Sequence, residues 1–228
     1  MEEPRYIPRL YGRHIDKALK PRHAKLMDEL LPKISMPAPD GETIDPKDLF
    51  PAADEIWLEV GFGGGEHLAW QAAENPDVGL IGAEPFVNGV AKLLVHVEDN
   101  DLDNIKIHHG DARPLLEALP DGSLDRLFVL HPDPWPKKRH HKRRMISPWF
   151  FAEAARLLKP GGILRVASDI RDYIRWTLMH AQNAPEFEWT ARRASDWKDR
   201  PADWPQTRYE LKSRREGREP AYLVFKRK

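Results

Sequence analysis

Leu58-Glu59-Val60-Gly61-Phe62-Gly63-Gly64-Gly65-Glu66 reads as a buried strand that runs into a glycine loop and then into a helix. Glycine lets a backbone turn sharply and approach a ligand closely, and the helix start that follows offers unpaired N–H groups. The same texture extends outward from this stretch. Short apolar runs at Ile56–Val60, Gly79–Ala83, Ile105–His108, Leu124–Leu130 and Ile163–Ala167 predict strands. Between them, Glu66–Glu74, Val87–Asp99, Ala112–Leu119, Pro148–Leu158 and Asp172–Asn183 carry helical patterns. The apolar runs are short and do not strictly alternate, as in strands covered on both faces. Strand and helix in regular succession predict an α/β fold, a mostly parallel sheet joined by right-handed crossovers with helices on both faces.

Glu84 ends the second strand, 25 residues after Glu59. An acid at that place can accept both hydroxyls of a ribose. Up to here a nicotinamide dinucleotide and S-adenosylmethionine fit alike, and Glu59 and Glu66 separate them. The dinucleotide fingerprint places its third glycine where this chain has Glu66, beside the helix end that would hold pyrophosphate. Carboxylates there repel phosphate. They suit a ligand with cationic ammonium and sulfonium groups, which S-adenosylmethionine is. Gly110-Asp111-Ala112, after the third strand, adds an acceptor for an adenine amino group. The glycines alone would equally make a tight strand-to-helix turn; the acids at successive strand ends favour the cofactor.

His131-Pro132-Asp133-Pro134-Trp135-Pro136 follows the fourth strand. Open α/β sheets place their chemistry at this edge, where strand order reverses. Two rigid prolines hold Asp133 between them, and Trp135 offers a flat face to a base. A basic run, Lys137-Lys138-Arg139-His140-His141-Lys142-Arg143-Arg144, begins at once and contains no acid. Overall charge gives no such hint, since 36 basic and 36 acidic residues cancel. Basic charge recurs in blocks, however: five more cations lie between Arg208 and Arg218, and the chain ends Lys226-Arg227-Lys228. Such blocks suggest local footprints for a polyanion. A charge run is often only a solvated face, but this one adjoins the strand end that carries the expected methyl donor.

The stretch Pro132 to Arg144 resembles the signature of the bacterial tRNA (guanine-N7-)-methyltransferases. Glu59-Val60-Gly61-Phe62-Gly63, Ser168-Asp169 and Thr207-Arg208-Tyr209-Glu210 are similar to further motifs of that family, and the likeness runs in order over about residues 9 to 226, including Tyr11-Gly12-Arg13. The resemblance implies a class I S-adenosylmethionine-dependent methyltransferase fold, Rossmann-like, with an N-terminal extension. It implies that Glu59, Glu84, Asp111 and Asp133 contact or flank the cofactor, with Gly61, Gly63 and Ala112 lining its site. Asp133 is the expected catalytic residue. Lys137, Asp169, Thr207, Arg208, Tyr209 and Glu210 would bind the tRNA substrate, and Lys138, Arg139, Lys142, Arg143 and Arg144 would hold its backbone. The family's target is a guanosine of the tRNA variable loop, position 46. Two positions depart from the family pattern: His131 stands where a bulky aromatic is usual, and Ser168 where threonine is usual. Adenine and cytosine N-methyltransferases carry Asn or Asp, two prolines and an aromatic at this strand end, in an order the Pro-Asp-Pro-Trp block does not follow. A non-enzymatic RNA-binding module would have no need of the full set of cofactor acids.

Around this core, residues 1–53 are rich in proline and charge, with one expected helix at about Arg22 to Leu31, and form an extension expected on the RNA side. Residues 54–228 form the methyltransferase domain. Phe187–Thr190 and Ala221–Phe225 read as a closing strand pair, separated by some 30 residues that include Trp197, Trp204 and Thr207 to Glu210. That gap far exceeds a hairpin loop, so about 195–220 is expected to be an RNA-binding insertion. Asp169, between a strand and a helix, would also serve as a helix cap. The chain has no cysteine, which excludes disulfides and thiolate chemistry. His108, His109, His131, His140 and His141 lack the spacing of a metal motif, so no metal is expected. No apolar run approaches the length needed to span a bilayer, and Met1-Glu2-Glu3-Pro4-Arg5 has no signal pattern. A cytoplasmic enzyme acting on tRNA, without membrane or obligate protein partner, is the expectation.

Overall fold

The computed structural model describes residues 17–228; the Tyr11-Gly12-Arg13 stretch and the rest of residues 1–16 lie outside them. In chain order come α1 (Pro21–Glu29), α2 (Leu31–Ile34), α3 (Pro46–Leu49), β1 (Glu55–Val60), α4 (Glu66–Glu74), β2 (Val78–Ala83), α5 (Val87–Asp99), β3 (Ile105–His108) and α6 (Ala112–Ala118). The second half continues with β4 (Leu124–Leu130), a 3-10 turn (Lys138–Arg143), α7 (Pro148–Leu157), β5 (Leu158–Ser168), α8 (Arg171–Gln182), β6 (Phe187–Trp189), α9 (Ser195–Lys198), α10 (Arg208–Arg215) and β7 (Ala221–Arg227). Among the described residues the strands form one sheet in the order β3-β2-β1-β4-β5-β7-β6. Strands β1 to β5 are parallel, while β7 runs antiparallel to both β5 and β6. The expected closing pair is therefore present, and β1 beside β4 is the place where strand order reverses.

Side chains alternate across a strand with a period of two, and β1 shows what that does here. Ile56, Leu58 and Val60 enter the core layer that also holds Leu127, Val129, Phe150 and Leu164. Trp57 faces the other layer, with Leu68, Leu93, Leu94 and Phe128. By the same alternation Glu59 falls on the Trp57 side, under α4.

The expected strands and helices lie where the periodicity put them, with ends shifted by a residue or two. The larger difference is β5, which starts at Leu158 rather than Ile163 because Leu158 pairs with Leu124 across a bulge. The first helix stops at Glu29, and Pro32 enters the first turn of α2 instead of continuing it. Residues 17–53 share the domain's core: Leu26 packs under α5, Ile44 and Phe50 enter the opposite layer, and Ser35 bridges to Ile107 on edge strand β3. Among the described residues no helix is long and apolar enough to cross a membrane.

Candidate active site

The carboxyl ends of β1 to β4 converge on two cavities, of about 290 and about 430 Å³, that share Gly61, Gly63 and His131 in their walls. Volumes of this order suit a small-molecule ligand. The smaller cavity is lined by Glu84, Asp111, Ala112, Asp133 and Trp135, and the larger by Glu59, His67, Thr207, Arg208 and Tyr209. Most residues expected around a cofactor are thus brought together.

The glycine loop between them is built on left-handed backbone. Gly61 and Gly63 have φ of 72° and 57°, a region costly to any residue with a Cβ. Helix α5 closes on it so tightly that a Cβ on Gly89 would stand 2.3 Å from the Gly63 carbonyl. Glu84 fastens the loop to β2: Oε2 accepts from Gly63 N at 2.8 Å and Oε1 from Phe86 N at 2.9 Å. Burial pushes the Glu84 carboxyl above its ordinary range, against the pull of those two N–H groups. Asp111 caps α6, with Oδ1 accepting from Arg113 N and Oδ2 paired to the Arg113 guanidinium at 2.9 Å.

The turn after β4 is strained at both ends. His131 and Trp135 have φ of 50° and 43°, uncommon outside glycine and typical of functional turns. Asp133 stands between them at the cavity mouth, and partial loss of water raises its carboxyl above the ordinary aspartate range. Trp135 meets the Arg143 guanidinium 4.9 Å from its ring centre. Of the basic run, Lys137, Lys138, Arg139 and Lys142 are exposed.

Arg144 corrects an expectation. Its side chain is 1% exposed, paired with Asp172 at 2.5 Å, donating to Pro134 O at 2.9 Å and lying over Tyr173 and Trp176. It cannot reach a phosphate outside. Its work is to hold the Asp133 turn against α8.

The insertion closes the larger cavity. Thr207 caps α10 by accepting from Glu210 N, and Arg208 pairs with Glu66 at the start of α4. Tyr209 is 45% exposed and packs at a tilt on His131, ring centres 4.7 Å apart. Glu210 is 1% exposed and turned inward to Arg214. Asp169 departs only from the helix-cap reading. The cap of α8 is Ile170, and Asp169 instead accepts from Ser213 Oγ at 2.7 Å and Arg218 Nε at 2.6 Å. Burial acts to raise its carboxyl, but the His131 ring, Arg218 and Ser213 outweigh it and hold the group well below the usual range. Asp169 therefore ties the insertion to the end of β5.

Sequence reading gave no ground to single out His67, Gln71 or Ser213, and it marked Arg218 only as the end of a basic block; His67 meets Glu59, Gln71 meets His67, and Ser213 and Arg218 meet Asp169. Their partners are set by tertiary contact, and in sequence they read as ordinary helix and loop positions. Among the described residues no cluster of three or more His, Asp or Glu could hold a metal.

Three sets of likeness bear on this geometry. Residues 53–223 match the family model described as "Putative methyltransferase". The tRNA (guanine-N(7)-)-methyltransferase of Rhodospirillum rubrum is 52% identical, over all of this chain and 91% of that protein. The protein of the same name from Zymomonas mobilis is 45% identical, over all of this chain and 97% of the relative. Among solved structures, the 16S rRNA methyltransferase KamB aligns with a TM-score of 0.56 at 16% identity, over 82% of this chain and 94% of that one. TrmN from Thermus thermophilus aligns at 0.52 and 20% identity, over 80% of this chain and 47% of the other. These two structural likenesses speak for the fold alone.

Proposed function

The chain belongs to the tRNA (guanine-N(7)-)-methyltransferase family, and from that premise we propose that it transfers a methyl group from S-adenosylmethionine to N7 of a guanosine at position 46, in the variable loop of tRNA. The observation that carries this reading is the convergence of Glu59, Glu84, Asp111 and Asp133, from the ends of four successive strands, on cavities flanked by exposed cations. Acids around a glycine loop fit a cationic, phosphate-free nucleoside ligand.

When bound, S-adenosylmethionine supplies a methyl group on a positively charged sulfur. Glu84 would hold the ribose, since each carboxylate oxygen keeps a lone pair beyond its backbone contact. Glu59 would face the ammonium group, and Asp111 and Ala112 the adenine. Guanine N7 carries a lone pair and no proton, so no side chain has to act as a base. The work left to the protein is positioning, plus stabilising the positive charge that moves onto the purine. Asp133 suits that role: its carboxylate can accept from the guanine edge and favour the cation. Tyr209 and Trp135 offer stacking faces, while Lys137, Asp169, Thr207 and Arg208 would frame the substrate. Residues 1–53 and about 195–220 would make the RNA side. In support, Lys17 O accepts from Asn88 at the start of α5, the helix packed on the glycine loop.

The test is methyl transfer from labelled donor to tRNA transcripts, followed by nucleoside analysis. Label is expected as 7-methylguanosine, and replacing the guanosine at position 46 by adenosine should abolish it. Label in another nucleoside, or retained after that replacement, would refute the assignment.

The basic run contains two kinds of cation, and they should separate experimentally. Replacing Lys138, Arg139 and Lys142 with alanine should flatten the salt dependence of tRNA binding by about 0.7 in log–log slope per lost contact. Arg144→Ala should leave that slope unchanged but destabilise the fold by about 1–3 kcal/mol, because it removes a buried guanidinium that packs over Tyr173 and Trp176 and donates to the partly buried Pro134 carbonyl. An unchanged slope in the triple variant would make the run a solvated face only.

A further inference from the structure

Glu59 is 2% exposed, and a carboxylate so buried needs hydrogen-bond donors. Helix α4 supplies one: His67 Nδ1 lies 2.8 Å from Glu59 Oε2, with the ring set against Phe128 and Trp204. One turn farther along the helix is Gln71, also buried. Its Nε2 lies 2.9 Å from the backbone carbonyl of Asp203 and 3.2 Å from His67 Nε2, and its Oε1 accepts from Asn75 Nδ2 at 3.3 Å. A carbonyl only accepts, so the Gln71 atom facing Asp203 is the NH₂ group. Its second hydrogen points to His67 Nε2, which must therefore accept. His67 Nδ1 is left as the donor to Glu59. Direction is fixed along the whole chain from Asp203 to Glu59.

Asp203 belongs to the insertion, and sheet arginines hold it: Arg165 Nη2 at 2.6 Å and Arg126 Nη1 at 3.5 Å. We propose that His67 and Gln71 are positioning residues that aim the Glu59 carboxylate at the cofactor's ammonium group and make that aim depend on docking of the insertion. The proposal rests on Glu59 meeting that ammonium group, as read above. Neither residue needs to touch the cofactor's reacting atoms. His67 sets which oxygen of Glu59 is engaged, and Gln71 sets the imidazole tautomer.

The experiment compares two ligands by calorimetric titration. S-adenosylhomocysteine carries the amino-acid end, and 5′-methylthioadenosine has the same nucleoside without it. His67→Leu and Gln71→Met should each weaken S-adenosylhomocysteine binding by about tenfold, the scale of one lost buried hydrogen bond to a charged group. Binding of 5′-methylthioadenosine should not change. His67→Asn, whose amide N–H can take the place of Nδ1–H, should recover most of the affinity. Gln71→Met, close in shape to glutamine, carries the same expectation should His67→Leu fail to fold. Equal losses for both ligands would reduce the two residues to packing and overturn the proposal. Glu59→Gln separates the premise from the inference. If it weakens S-adenosylhomocysteine binding while His67→Leu and Gln71→Met do not, the cofactor role of Glu59 stands and the relay is wrong. If Glu59→Gln has no effect, the assignment of Glu59 falls and the relay with it.

Discussion

Asp133→Ala is expected to lower the single-turnover methyl-transfer rate by about 10²–10³-fold at saturating cofactor and tRNA, the range seen when one preorganised electrostatic partner of a transition state is removed. The pH profile should carry the same signature. The working form is the carboxylate, so the rate is full above its pKa and falls tenfold per unit as pH drops through it. An ordinary aspartate would place that fall near 3.9. Loss of water at the cavity mouth raises the group, so the acid limb should lie above that position, while the rate stays flat from about pH 6.5 to 8.5. His131→Phe keeps a ring against Tyr209 and should leave most of the rate. A tenfold rise per pH unit through the neutral range that vanishes in His131→Phe would overturn this mechanism. It would mean that the target atom must first lose a proton.

Glu84→Ala should weaken S-adenosylhomocysteine binding by about 1–3 kcal/mol, about 5- to 150-fold, because it strands the ribose hydroxyls it is proposed to accept from. The larger end is expected, since the same carboxylate fastens the glycine loop through Gly63 N and Phe86 N. Glu84→Gln should do almost as badly. An amide has one acceptor oxygen, and its NH₂ would face one of those two backbone donors. Affinity should also fall in acid, and at a higher pH than for an ordinary glutamate, because burial raises this carboxyl. Unchanged calorimetric affinity in a folded Glu84→Ala protein would sink the assignment.

By itself the sequence determined the sheet, its glycine loop and the acids at its strand ends. These follow from local rules: apolar periodicity sets strand and helix, and a strand's last residue is placed by the strand alone. Glu59, Glu84, Asp111 and Asp133 needed no knowledge of distant neighbours. What the tertiary structure alone decided is which side chains engage one another between the packed layers. Arg144 follows Arg143 in a uniform basic run, yet one turns to Trp135 and the other is buried against α8. Asp169 reads as a cap, but its partners lie 44 and 49 residues away. His67 sits on a helix face that looks like any other until β1, Phe128 and Trp204 close around it. Periodicity repeats within a few residues and is written into the chain, whereas a buried polar group takes whichever partner the folded layers bring within about 3 Å, and that distance exists only once the helices have packed on the sheet.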